Sequence, residues 1–113
     1  RNVTNEEEAT IVRLANNTNV FDRQIILAPG RECWIEGPGV LDAELTASTN
    51  TIIRLRNCVF KNRTRKALDE GNLHYRLEGG AGLDFLYLNE PFGWRDYIYI
   101  DDGAVNKVRF LGS

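Results

Sequence analysis

The sequence predicts an all-β fold, a two-layer antiparallel sandwich or a small barrel, as a single domain over residues 1–113. Short stretches rich in β-branched and aromatic residues recur along the chain, and such stretches are typical of strands. Glycine and proline separate many of them at intervals of about 8 to 12 residues, as in sandwiches and barrels. Apolar and polar residues alternate within the stretches, which favours antiparallel strands with one buried face.

The predicted strands are short, and the pattern of each one indicates which face is buried. In chain order they are 9–15, 23–28, 32–36, 51–56, 58–60, 73–78, 83–88, 96–100 and 106–110. In 51–56, Ile53 and Leu55 share one face and the arginines share the other, which is the period of two of a half-buried strand. Two helical turns are predicted. One lies around 65–71, where the pattern ends at a glycine, and the other lies at 4–10, where Thr4 or Asn5 precedes three glutamates.

Composition and charge limit the classes of function. The chain has 113 residues, of which 42% are hydrophobic, and a formal net charge of -2. The length and the hydrophobic fraction are enough for one modest core. The slightly negative charge does not favour a nucleic-acid-binding surface, which usually needs an excess of basic residues. No apolar run is long enough to span a membrane. The chain begins at Arg1 in polar sequence and contains no methionine, which fits a processed, mature chain.

Two cysteines, Cys33 and Cys58, are present. Two thiols are too few for a structural zinc site, and a single histidine adds little. One disulfide between them is predicted, and buried free thiols are the alternative.

Three glycosylation sequons begin at Asn2, Asn16 and Asn62. Each lies beside a predicted turn or at the start of the chain, where a glycan can be carried. Together with a pairable couple of cysteines, the sequons favour a secreted, extracellular glycoprotein.

Two stretches resemble the βγ-crystallin family. The stretch "DDGAVNKVRF" (101–110) is similar to the loop and strand that close a Greek key of that family, and "IVRLANNTNVFDRQIILAPGRE" (11–32) is similar to its first hairpin. An internal echo aligns "NTIIRLRN" (50–57) with "VNKVRFLG" (105–112), placing Arg54 opposite Arg109. The resemblance implies a double Greek key, one key in each half, and a structural calcium-binding module as one functional alternative.

The doubled aspartate, Asp101 and Asp102, is the candidate calcium ligand that this resemblance implies. Val105 stands where the family has a hydroxyl side chain, and calcium takes six to eight oxygen ligands. Aspartate followed by glycine also favours a turn for conformational reasons alone. The pair is therefore predicted to form a turn, with calcium as the alternative and no other cofactor.

One polar strand face carries the weak catalytic candidates His74, Arg76 and Glu78. These residues alternate with the apolar residues of 73–78, and such a face can serve acid–base chemistry on a phosphodiester. That chemistry generally needs a second proton carrier across the scissile bond, for which only Glu78 is near in sequence. A solvated polar face is the preferred interpretation, and a small secreted nuclease or hydrolase is the alternative.

Aromatic residues are concentrated in "LDFLYLNEPFGWRDYIYI" (83–100). The loop within it carries the predicted recognition residues Phe92, Trp94, Arg95 and Asp96. Aromatic side chains anchor interfaces at low entropy cost, and arginine adds directional hydrogen bonds. The alternative for Trp94 is that it folds back and closes one end of the core.

The preferred function from sequence is therefore a secreted, non-enzymatic interaction module. It would be an effector-like, toxin-like or cell-surface binding protein that recognises an extracellular protein or glycan. Nucleic acid is not the expected partner.

Overall fold

Short parallel strands make up most of the structure, a computed structural model that contains almost no helix. It describes residues 2–5, 10–13, 18–27, 32–47 and 49–112, with side chains described from 32 onward. The strands are β1 (Asn2–Asn5), β2 (Thr10–Arg13), β3 (Thr18–Leu27), β4 (Glu32–Glu36), β5 (Gly39–Ala47), β6 (Ile52–Arg56), β7 (Val59–Asn62), β8 (His74–Glu78), β9 (Gly82–Phe85), β10 (Ile98–Ile100) and β11 (Val108–Phe110). Two 3₁₀ turns, Trp94–Asp96 and Val105–Lys107, precede the last two strands.

The strands alternate between two sheets as the chain proceeds. Sheet A contains the odd-numbered strands in the order β1-β3-β5-β7-β9-β11, and sheet B the even-numbered strands in the order β10-β8-β6-β4-β2. All of these pairings are parallel. One circuit of the coil contains one strand of each sheet. Each new circuit therefore adds a strand to each sheet, beside the strand from the preceding circuit. The result is a β-solenoid-like coil with two walls.

The all-β prediction is confirmed, but the predicted antiparallel arrangement is wrong. A period of two indicates only that one face of a strand is buried. In this coil the opposite wall buries the inner face and leaves the outer face open, so parallel strands show the alternation usual for antiparallel ones. The resemblance to βγ-crystallins is contradicted for the same reason, since Greek keys are built from antiparallel strands.

The core fills the space between the two walls, where inward side chains stack in register along the coil. For example, Ile53 on β6 pairs with Cys33 on β4 and with Tyr75 on β8. The buried inward residues of the two sheets are Cys33, Ile35, Ile53, Leu55, Tyr75, Leu77 and Ile98 from sheet B, and Leu41, Ala43, Leu45, Ala47, Phe60, Leu83, Phe85 and Val108 from sheet A. Fully burying one such large aliphatic side chain contributes about 1.5–3 kcal/mol.

A buried asparagine marks the end of β7. The Asn62 side chain is 0% exposed; its Nδ2 donates a hydrogen bond to the Tyr75 hydroxyl at 3.0 Å, and its Oδ1 accepts one from the Thr64 N–H at 2.9 Å. Both ends of the amide are thus satisfied inside the core.

This burial argues against a glycan at Asn62, because the folded core encloses the side chain and both ends of its amide already have partners. Of the other two sequons, Asn2 lies in β1 but its side chain is outside the described part of the structure. Asn16 lies outside the described residues altogether.

The predicted disulfide is corrected. Cys33 faces the interior from β4, whereas Cys58 lies in the corner between β6 and β7, and both thiols are free and buried. The Cys58 thiol lies 3.5 Å from the Ile35 carbonyl oxygen, to which it donates. Burial raises the pKa of Cys33 to about 12 and the pKa of Cys58 to about 11. Both residues therefore behave as small apolar core residues.

We expect the buried thiols to make the protein less stable in alkali. An unfolded cysteine ionises with a pKa near 8.5, so between pH 9 and 11 the unfolded chain loses protons that the folded chain retains. The stabilising contribution of each thiol to the folded state is fully present below the unfolded pKa. It is lost as pH rises from that value toward the folded pKa of the same thiol. Urea unfolding from pH 7 to 11 should show the free energy of unfolding falling by up to about 1.4 kcal/mol per pH unit for each thiol.

A double Cys33→Ala, Cys58→Ala variant is the control for this titration. Among the described residues, it retains the contribution of Tyr75, whose pKa is also raised by burial and which titrates at higher pH than cysteine when unfolded. If the double variant and the parent lose stability in parallel between pH 9 and 10, the thiols are not the source.

Candidate ligand-binding cleft

The outer face of sheet B carries a row of four large side chains in register. Trp34, Arg54, Arg76 and Tyr99 lie side by side on β4, β6, β8 and β10. Each arginine lies over a neighbouring aromatic ring: the Arg54 guanidinium is 3.8 Å from the Trp34 ring centroid, and that of Arg76 is 4.6 Å from the Tyr99 centroid. The row therefore has an arginine–aromatic pair at each end.

The two arginines of this row differ in their charge partners. Arg54 forms ion pairs with Glu78 at 2.8 Å and with Glu32 at 3.6 Å. Arg76 is exposed and has no ion pair with a carboxylate of the described residues. Arg54 is thus neutralised by its own chain, and Arg76 is available to an incoming group.

A cleft of about 490 Å³ lies around β10, next to Arg76. Its lining residues come from β6, β8 and β10, from the turn before β10 and from the loop after it: Ile52, His74, Tyr75, Arg76, Arg95, Asp96, Tyr97, Ile98, Tyr99, Ile100, Gly103 and Val105. The rings of His74 and Tyr97 stack with centroids 5.4 Å apart and an interplanar angle of 19°. Apolar and aromatic surface with a few convergent polar groups is the usual character of a small-molecule site.

The predicted recognition loop is divided by the structure. Arg95 and Asp96 line the cleft, whereas Trp94 is only 7% exposed and packs against Phe110 with ring centroids 5.7 Å apart. Gly93, immediately before the buried Trp94, has φ 77°, a left-handed conformation that glycine adopts readily. Phe92 is fully exposed and borders a separate depression of about 200 Å³. Trp94 is therefore a core residue in this structure and not an exposed contact.

The catalytic candidates do share a strand face, as the alternation predicts. Along a strand, however, His74 and Glu78 are four residues apart, or roughly 13 Å. Glu78 is paired with Arg54, and His74 is stacked on Tyr97. An acid and a base must both come within hydrogen-bond reach of the reacting group, and this geometry does not bring these two residues together.

The doubled aspartate holds a turn together through its backbone partners. Oδ2 of Asp101 accepts a hydrogen bond from the Gly79 N–H at 3.2 Å, and Oδ1 of Asp102 accepts one from the Ala104 N–H at 2.9 Å. Gly103 follows with φ 68°. Across the described ranges, no three His, Cys, Asp or Glu side chains converge as a metal site requires.

Comparisons of the chain with protein-family models, with curated proteins and with solved structures find no match. A coil of parallel strands does not by itself indicate an activity. Among the described residues, no helix is long and apolar enough to cross a bilayer. The functional interpretation therefore depends on the chemistry of the cleft.

No local pattern in the sequence groups the residues of the cleft. The shared face of Tyr97 and Tyr99 was visible in the alternation of 96–100. Their position beside His74 and Arg76 follows only from the parallel register of β8 and β10. The contributions of Ile52 and Val105 had no signal in the sequence.

Proposed function

We propose that the protein is a non-enzymatic, extracellular binding module that recognises a glycan in the cleft around β10. The observation that carries the proposal is the grouping of the rings of His74, Tyr97 and Tyr99 with the guanidinium groups of Arg76 and Arg95. The apolar face of a sugar ring can pack on an aromatic ring, while its hydroxyls bond to polar groups at the rim.

Ligand binding is favoured because His74, Arg76 and Tyr99 are held on regular strands. His74 and Arg76 are fixed on β8, which is hydrogen-bonded on both sides, and Tyr99 on β10 is held in register beside them. Side chains on regular strands are positioned more accurately than those on loops. Less conformational entropy is then lost when a ligand binds.

The extracellular location remains part of the proposal. It rests on the sequons at Asn2 and Asn16, since Asn62 is buried and the two cysteines are unpaired. Modification of either asparagine in the protein from its natural source would support it.

We expect Tyr99→Ala to weaken glycan binding by about tenfold or more, in the range of an aromatic binding residue. Tyr99 is 52% exposed, so the free energy of unfolding should change by only about 0.5 kcal/mol. Calorimetric titration with a panel of neutral and acidic oligosaccharides measures the affinity, and chromatography of the recovered sugar tests for cleavage.

Tyr87→Ala is a closely matched control for this test. Tyr87 is 46% exposed, has the Arg65 guanidinium 4.1 Å from its ring centroid, and lies outside the cleft. The control should bind like the parent. Failure of the parent to bind any member of the panel, or release of shortened sugars, would contradict the proposal.

A further inference from the structure

We infer that the sugar recognised in the cleft is acidic and that Arg76 binds its anionic group. This inference rests on the proposed glycan-binding function and names the ligand class. It comes from the contrast between two arginines that occupy the same row of sheet B.

Arg54 and Arg76 are neighbours in register, yet only one has an acidic partner. Both guanidinium groups lie over an aromatic ring, but Arg54 is also bound by Glu78 and Glu32. Arg76 has no such carboxylate within the part of the chain that the structure describes. A guanidinium over a ring face still presents N–H donors that match a carboxylate or sulfate with two parallel hydrogen bonds. An acidic ligand supplies the partner that Arg76 lacks.

The charge of the cleft lining favours the same ligand class. Arg76 and Arg95 line the cleft with Asp96 as the only carboxylate among the lining residues, so the lining is positive while the whole chain has a formal charge of -2. Arg95 also lies near an aromatic ring, 5.0 Å from the Trp94 centroid. The cleft thus places two guanidinium groups beside an aromatic surface. This combination suits a sugar ring that carries a negative group.

The ring contacts exclude a simple preference for any anion. A free phosphate or sulfate ion would use the guanidinium groups but leave the surface of His74, Tyr97 and Tyr99 uncovered. A sugar with an acidic substituent can cover the rings and pair with Arg76 at the same time. A carboxylate and a sulfate substituent offer the same hydrogen-bonding chemistry to the guanidinium. An experiment is therefore needed to distinguish a carboxylated sugar from a sulfated one.

The test compares one tetrasaccharide of hexuronic acid with its carboxyl-reduced, neutral counterpart of the same length and linkage. We expect the acidic form to bind the parent protein at least about tenfold more tightly in calorimetric titration, in the range of a charge-assisted pair. In Arg76→Gln the ratio of the two affinities should fall to about one. A sulfated tetrasaccharide forms the third arm: tight binding assigns the site to acidic sugars of either kind, and weak binding assigns it to sugars that carry a carboxylate.

Arg65→Gln is the matched control, because Arg65 also lies over an exposed tyrosine but is not among the residues that line the cleft. It should retain the preference of the parent. Equal binding of the acidic and neutral sugars by the parent overturns the inference and leaves the proposed function standing. An equal loss of preference in Arg65→Gln and Arg76→Gln also overturns it, since diffuse charge would then explain the result. Absence of binding to all three sugars overturns both proposals.

Discussion

Replacing Gly37 with alanine is expected to destabilise the native coil by about 3 kcal/mol or more, at the upper end of overpacking effects. Gly37 lies between β4 and β5, where its N–H donates to the Arg56 carbonyl oxygen at 2.9 Å. A Cβ atom there would overlap the Asn57 carbonyl oxygen and lie 2.7 Å from its carbonyl carbon. The obstacle is the backbone of the adjacent circuit, so no side-chain rotation can relieve the contact.

Gly82→Ala is the matched control for this substitution. A Cβ atom at Gly82 would meet the Lys107 carbonyl oxygen at 3.6 Å and the Val59 Cγ2 at 3.8 Å, both ordinary contacts. Its effect should stay within about 1 kcal/mol, as expected without a steric conflict. Urea unfolding of the two variants measures both effects. Similar midpoints for Gly37→Ala and Gly82→Ala would contradict the close approach of the two circuits.

Trp94→Ala is expected to lower the free energy of unfolding by about 3–5 kcal/mol, the usual cost of emptying a buried tryptophan site. Trp94 is 7% exposed, packs on Phe110, and forms part of the core cluster through the turn before β10. Chemical unfolding monitored by far-ultraviolet circular dichroism measures the loss without relying on tryptophan emission.

Phe92→Ala, two residues earlier, tests the same loop on its exposed side. The Phe92 side chain is fully exposed, so its removal should change the stability by only about 0.5 kcal/mol. In a Trp34→Phe background, emission from Trp94 should also be blue-shifted and protected from soluble quenchers. A loss below 1 kcal/mol for Trp94→Ala, in the range of surface changes, would show that this side chain is not part of the core.

The sequence was informative where local pattern determines the outcome. The alternation within β6 and β8 correctly predicted the inward faces, because a strand directs successive side chains to opposite sides whatever its neighbours. Strand β5 was missed, since "GVLDAELTA" is rich in leucine, alanine and glutamate, which favour helices. There the alternating burial of Leu41, Ala43 and Leu45 against the opposite wall overrides local propensity.

Strand direction and register were not recoverable from these local patterns. The echo that matched Arg54 with Arg109 joins β6 of sheet B to β11 of sheet A, which are not partners. Strand pairing follows the length of one circuit, which is the spacing from Ile53 to Tyr75 or from Tyr75 to Ile98. Repeats of about 20 to 50 residues indicate solenoids. Here the circuits differ in length and share little more than inward apolar positions, so the repeat was not visible.

The stacked circuits also determine how the molecule opens. In such an array the folding free energy is approximately a sum over neighbouring units, and opening can start at an outer unit. Among the described strands of sheet B, β10 has a neighbour on one side only. Detachment of β10 removes Tyr99 from the cleft and leaves His74 and Arg76 in place on β8. Ligand affinity is thereby linked to a local opening equilibrium, and a bound ligand shifts that equilibrium toward the closed circuit by mass action.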